Sequence, residues 1–372
     1  MSSVRLGPES GGTFSSQVIA VLDTGVYRQH KDFVTGLSAN PGPGPSLGIK
    51  GKISWIGVDV SDHEIWVGTK LKLRGEPDVY DETRQGMSNH GTAMAGMISA
   101  GTHDPSFTSG TIGTGTAGLA PSALILPVRL RILGGSNGIP LTISSSSMVK
   151  SIRAIRFNFG HTKWAKKIRV VNMSFGGGKI SSWWSPNDML LNISRDLKYN
   201  DRLYIAGAGN QSTHKLVYPA AYSNVLGVTG ALASRLEDGI NWHFDVDPLS
   251  NYWDIVYRDV NAVYAVSGIY GFANEFSGCQ ALPSPPGLGY ENDSAIYDIT
   301  DGGTSSAAAQ ISALAFLLYD AKARQTGNVL ASSYPTVRNR IINTQMALLI
   351  DENNPNHRMA GVANFMCALN AW

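Results

Sequence analysis

The chain has 372 residues, of which 43% are apolar and 16% charged, so it carries ample material for a core and too little charge to stay disordered. Thirty basic and 28 acidic residues leave a net charge of +2, which lacks the strongly basic balance of a dedicated nucleic-acid binder. The two cysteines, Cys279 and Cys367, exclude a disulfide framework or a cysteine-built zinc site; they leave room for one bridge but read more readily as buried free thiols.

Residues 1–16 are polar and rich in Gly and Ser, and read as an N-terminal tail. Val18–Leu22 is a short, wholly apolar run that ends at Asp23, and similar runs follow at Leu124–Val128, Val170–Met173, Leu203–Ala206 and Val225–Val228. Uninterrupted runs of this length suit strands buried on both faces, as in parallel sheets. Between them lie helical patterns. Met148, Ile152, Ile155 and Phe159 recur at helical spacing, Pro186 opens a stretch carrying Met189, Leu190, Ile193 and Leu197, and Thr304–Ala323 is rich in Ala and then Leu. The alternation predicts an α/β fold: a doubly wound, mostly parallel sheet with helices on both faces. Residues 234–301, rich in Trp, Tyr, Asn, Pro and Gly, read as loops and short antiparallel strands at the edge of the same unit. No linker interrupts 17–372, which reads as one domain. No apolar run reaches the ~18 residues of a membrane span, and Met1–Gly12 has no apolar signal-like stretch. These features lean toward an intracellular protein without membrane or nucleic-acid partners and leave the oligomeric state open.

In doubly wound sheets, ligands sit beyond the carboxyl ends of the strands. Four polar segments fall there or at helix starts: Asp23-Thr24-Gly25, Asn89-His90-Gly91-Thr92, Ala208-Gly209-Asn210 and Gly302-Gly303-Thr304-Ser305-Ser306-Ala307. Nucleophilic catalysis by serine needs a hydroxyl, a histidine base, a carboxylate to orient it, and donors for the developing oxyanion. These segments contain all of those groups. A serine at a helix start also meets backbone N–H donors and the positive end of the helix dipole.

The order Asp, His, Asn, Ser, in segments of these types, resembles the subtilisin-like serine proteases over Val18 to about Leu318. The resemblance implies that Asp23 orients His90, that His90 is the general base, that Ser305 is the nucleophile, and that Asn210 helps bind the oxyanion. It identifies 17–372 as a subtilisin-like peptidase domain acting on protein or peptide substrates. Asn172-Met173-Ser174-Phe175-Gly176-Gly177 is similar to the strand that pairs with substrate, and Val217-Tyr218-Pro219-Ala220 to the loop beneath the S1 pocket. The implied pocket residues are Ser174, Phe175, Gly176, Gly177, Ala208, Gly209 and Val217. Val217, where the family often has Gly or Ser, implies a shallow pocket that prefers small or medium apolar P1 side chains. The chemistry requires no cofactor. Asp32 lies where the family often has a calcium carboxylate, so the resemblance allows a structural calcium whose other ligands stay unassigned.

The pattern departs from the family at Ala309, where Pro is usual, and at Val266-Ser267-Gly268. Other readings are weaker. An aspartic protease needs two Asp-Thr-Gly carboxylates and only one is present. Gly113–Gly118 matches a dinucleotide-binding glycine pattern but lacks a preceding strand. His103, His161 and His243 lack catalytic neighbours, and Lys163, Lys166, Lys167 and Arg169 read as a solvated turn. The expected activity is endopeptidase hydrolysis. A peptide ligase or macrocyclase would use the same triad and acyl-enzyme, and a peptide-binding pseudoprotease would require a lost catalytic residue, which this chain does not have.

Overall fold

The computed structural model describes residues 17–26, 33, 57–60, 66–67, 90–100, 118–133, 142–159, 168–176, 186–235, 242–251, 262–266, 303–328, 330–350 and 358–370. In chain order the elements are β1 (Val18–Asp23), β2 (Val58–Asp59), β3 (Trp66–Val67), α1 (His90–Ser99), β4 (Leu124–Arg129), β5 (Ile132–Leu133) and β6 (Thr142–Ile143). Then come α2 (Ser145–Phe159), β7 (Ile168–Met173), α3 (Pro186–Asn200), β8 (Leu203–Gly207), β9 (Leu226–Arg235), β10 (Trp242–Val246) and β11 (Ala262–Val266). The chain continues through α4 (Gly303–Thr326), α5 (Tyr334–Asn343), β12 (Gln345–Ile350), β13 (Arg358–Ala363) and α6 (Phe365–Asn370).

Eleven strands form one sheet in the order β12-β13-β11-β9-β8-β7-β1-β4-β2-β3, with β10 paired to β9. From β2 to β11 the neighbours run parallel. The apolar runs owe their continuity to burial on both faces. Ile19 and Val21 of β1 join one core with Met94, Ile98, Ile311 and Phe316 from α1 and α4. Val18, Ala20 and Leu22 of the same strand join the opposite core with Ile152, Ile155, Met189 and Ile193 from α2 and α3. Alternation along one strand therefore feeds two cores, and burial of each Leu, Ile or Val contributes about 1.5–3 kcal/mol. Among the described residues, no helix is long and apolar enough to cross a membrane.

Strand β1 has β4 on one side and β7 on the other, so the chain leaves it in both directions. The carboxyl end of β1 is thus a topological switch point, where open α/β sheets form their binding crevice. Asp23 is the last residue of β1, and Ser174 follows β7 directly.

Three expectations change. In the 234–301 region β10 is antiparallel to β9, but β11 runs parallel to β9, with Ala262 opposite Gly227, and pairs on its other side with β13. The run Ala262–Val266 is wholly apolar, which is the composition of an interior strand. Arg169 belongs to no solvated turn: it is buried within β7, bonded to Asp201 at 3.0 Å and to the Ser332 carbonyl, with its guanidinium 4.6 Å from the Tyr319 ring centroid. Its charge is paired through Nη2 and stacked on Tyr319, while its buried Nε makes no hydrogen bond; Lys163, Lys166 and Lys167 lie outside the described residues. Cys367 is an exposed free thiol, while Cys279 lies outside the described residues.

Candidate active site

Strand β1 delivers Asp23 to the crevice with only 1% of its surface exposed. Its Oδ1 accepts the Thr24 N–H at 2.8 Å, and the carboxylate receives His90 Nδ1 at 2.8 Å on Oδ1 and 3.1 Å on Oδ2. A carboxylate only accepts, so Nδ1 carries the proton and neutral His90 keeps its lone pair on Nε2. Thr24 Oγ1 also accepts the Gly91 N–H at 2.9 Å, tying the first turn of α1 to the end of β1. A Cβ on Gly91 would collide with the Gly25 carbonyl and stand 3.0 Å from Asp23 Cβ. Glycine at 91 is what allows His90 to come this close to Asp23. The imidazole remains 32% exposed.

The first turn of α4 carries Ser305. Its hydroxyl donates to the Ser174 carbonyl at 2.8 Å, while Ser174 Oγ lies 2.9 Å from the Ser305 carbonyl and 3.0 Å from Asn172 Oδ1. Asn172 Nδ2 donates to Ser312 Oγ at 3.0 Å, so a buried polar strap links β7 to α4 below the serine. At the third position of the helix, the Ser305 N–H has no partner within α4 itself.

Asn210 follows β8 on an exposed loop. Its Oδ1 accepts both the Thr304 N–H and the Thr304 hydroxyl at 3.0 Å. An N–H can only donate, so the oxygen is the atom turned to Thr304, and Nδ2 is left as a fixed outward donor. A Cβ on Gly303, whose φ is +80°, would stand 2.8 Å from that Nδ2. Thr304 Oγ1 also accepts the Gly209 N–H at 3.0 Å, locking the start of α4 against the loop after β8.

Val217 is buried and donates its N–H to the Ala208 carbonyl at 2.9 Å. A Cβ on Gly176 would collide with Val217 Cγ2, and one on Gly209 would stand 2.9 Å from Cγ1. The valine therefore fills the gap between the two glycine backbones. Ala208 is buried, and Phe175 packs against the α2–α3 core.

The structure thus brings Asp23 and His90 into contact and joins Ser305 to Ser174 and Asn210 to Thr304, all around the switch point. Asn89, Gly177, Gly302 and Asp32 lie outside the described residues. Among the described residues, no group of three His, Cys, Asp or Glu side chains is arranged to hold a metal ion. Thr24, Asn172, Thr304 and Ser312 were not singled out by sequence as supporting residues. Thr24, inside Asp23-Thr24-Gly25, and Thr304, between Gly303 and Ser305, had a local signal; Asn172 and Ser312 meet 140 positions apart in the chain.

The fold is a mostly parallel α/β sheet whose switch point carries the Asp23–His90 pair, with Ser305 at the start of α4. Residues 15–362 match the model of the Subtilase family, peptidase family S8, and the chain belongs to that family. It is 28% identical over 204 residues to the "Major intracellular serine protease" of Bacillus subtilis (strain 168), an alignment covering 52% of this chain and 54% of the relative. The chain thus spans about half the length of the curated relative it matches. Among solved structures it resembles the prenylagaramide maturation protease PagA at 18% identity and a TM-score of 0.59, covering 96% of this chain and 93% of that one. It also resembles proteases from Pseudoalteromonas arctica PAMC 21717 at 21% identity and a TM-score of 0.59, covering 96% and 91%. At these identities the likeness is one of fold.

Proposed function

We propose that this protein is a serine endopeptidase in which Asp23, His90 and Ser305 form the catalytic triad and Asn210 binds the oxyanion. The observation that carries the reading is the contact of His90 Nδ1 with buried Asp23 at 2.8 Å, beside a helix start that presents Ser305. The Ser305 hydroxyl, now on the Ser174 carbonyl, turns about χ1 and passes its proton to His90 Nε2 as Oγ bonds to the substrate carbonyl carbon. Catalytic hydrogen bonds often form only with substrate bound. The tetrahedral oxyanion accepts from Asn210 Nδ2 and the Ser305 N–H. The C–N bond then breaks, and the leaving amine takes the proton from Nε2. Water attacks the acyl-enzyme, gives its proton to Nε2, and Ser305 recovers that proton as the acid leaves.

Hydrolysis is the proposed outcome; the 32% exposed imidazole is open to water and to an amine alike, so the products decide between hydrolysis and aminolysis. The S1 assignment to Ser174, Phe175, Gly176, Gly177, Ala208, Gly209 and Val217 is part of the proposal, as is an intracellular setting, which rests on the name of the Bacillus subtilis relative. Every step uses groups of this chain, and a calcium is assigned to stability alone, so a chelator is expected to leave kcat unchanged below the melting temperature. The test is mass spectrometry of products from a peptide library. Free acids that vanish with Ser305→Ala are expected; amide-linked or cyclic products would support the ligase, and products retained in Ser305→Ala would overturn the assignment.

A further inference from the structure

The loop bearing Asn210 lacks the usual means of staying in place. Residues 210–215 are all exposed, and Ser212 adopts φ +53°, so no apolar burial fixes their path. The neighbouring segment 247–251 supplies the restraint. It is seated on β9, where the Asp247 N–H donates to the Gly230 carbonyl at 3.1 Å and Ser250 Oγ accepts the Gly230 N–H at 3.0 Å. From this seat Asn251, fully buried, faces the loop.

Both ends of the Asn251 amide are used on it. Oδ1 accepts the N–H groups of Gln211 at 2.9 Å and Thr213 at 3.2 Å. Nδ2 donates to the Ala208 carbonyl at 3.1 Å and to Gln211 Oε1 at 2.7 Å. The Asn251 N–H donates to the Gly209 carbonyl at 2.7 Å. These contacts bracket Asn210 on both sides and leave its own side chain to Thr304 and the cleft. A Cβ on Gly209, whose φ is +104°, would stand 2.5 Å from Asn251 Nδ2, so the amide lies directly against the backbone that precedes Asn210.

We infer that Asn251 is a positioning residue for the oxyanion donor: it sets the Ala208–Thr213 backbone so that Asn210 Nδ2 meets the transition state. The inference rests on the proposed role of Asn210 and names the residue through which that role is held. Asp at 251 keeps the oxygen facing Gln211 and Thr213 and turns the other end from a donor into an acceptor opposed to two oxygens. A shift of about 1 Å in a preorganised group is worth up to about a hundredfold in rate.

The experiment is a double-mutant cycle of Asn251→Asp with Asn210→Leu, reading kcat and KM well below each melting temperature. Alone, Asn251→Asp is expected to lower kcat about ten- to a hundredfold with KM nearly unchanged, as for a contact realised in the transition state. In the Asn210→Leu background it is expected to add little, because the group it positions is gone. Gln211→Ala, at an exposed site, removes one Nδ2 partner and should give a smaller kcat effect with the same non-additivity; it serves where Asn251→Asp does not fold. Equal effects in both backgrounds, or an effect on KM alone, would overturn the inference. If Asn210→Leu itself leaves kcat unchanged, the oxyanion role of Asn210 fails first, and the positioning role fails with it.

Discussion

Val217 fills the space between Gly176 and Gly209, and from that contact a selectivity test follows. Val217→Gly should deepen the proposed S1 pocket and move P1 preference from small apolar residues toward Phe and Tyr by about 1–3 kcal/mol, read as ratios of kcat/KM. Gly176→Ala, which collides with Val217 Cγ2, should impair activity, and the pair Gly176→Ala with Val217→Gly should recover part of it. No recovery would mean that the two residues do not share one pocket wall. At this scale the proposed roles rest on short motifs that carry their own chemistry: Asp23, His90, Asn210 and Ser305 each stand in a segment of fitting residues, and the structure adds the Asp23–His90 and Asn210–Thr304 contacts. Residues whose role is relayed through another group were not legible. Asn251 lies in the irregular 234–301 region and acts across 40 or more positions on Gln211 and Ala208, so nothing adjacent to it in the chain signals its use.

The elements that matter most to the site are β7 and α4. Their polar strap runs from Ser312 through Asn172 to Ser174, inside otherwise apolar surroundings. Asn172→Ala leaves the buried Ser174 and Ser312 hydroxyls each without one partner, which is expected to lower stability by about 1–3 kcal/mol in urea unfolding. A neutral result would show that the strap is dispensable. Strands β1, β4, β7, β8 and β9 and helices α2, α3 and α4 were readable from period and composition, since burial on both faces produces unbroken apolar runs, one-sided helices produce spaced ones, and the buried α4 is rich in Ala and Leu. β11 was misjudged because its five apolar residues sit among Trp-, Tyr- and Pro-rich neighbours. The segments α5, β12, β13 and α6 drew no expectation, since their pairing, such as β13 beside β11, depends on contacts distant in the chain.

At the scale of the whole molecule, burial of tyrosines ties stability to alkaline pH. Burial, and then the phenol of Tyr218, pushes Tyr222 up to about 12 from its usual 10.0. Burial also raises Tyr204, with the Asp196 carboxylate adding to it, and raises Tyr319 above the ordinary range. Above pH ~10 the unfolded chain loses phenolic protons that the folded protein retains, so unfolding releases protons and stability falls as pH rises. The contribution is full below pH ~10 and drains away through about 12 and beyond. Thermal melts should show a falling melting temperature over this window, and the part of the phenolate absorbance that Tyr204→Phe and Tyr319→Phe remove should rise together with unfolding. That part rising well before unfolding would contradict the buried placement. The proposed triad depends on the same global fold, because Asp23, His90 and Ser305 come from three separate elements, β1, α1 and α4. The most direct measurement is therefore labelling of the native and the urea-unfolded protein with a fluorophosphonate, followed by mapping of the adduct. A single adduct on the peptide containing Ser305 is predicted in the native protein, absent on unfolding and in Ser305→Ala, and formed far more slowly in His90→Ala. An adduct on another serine, or labelling indifferent to His90, would contradict the account.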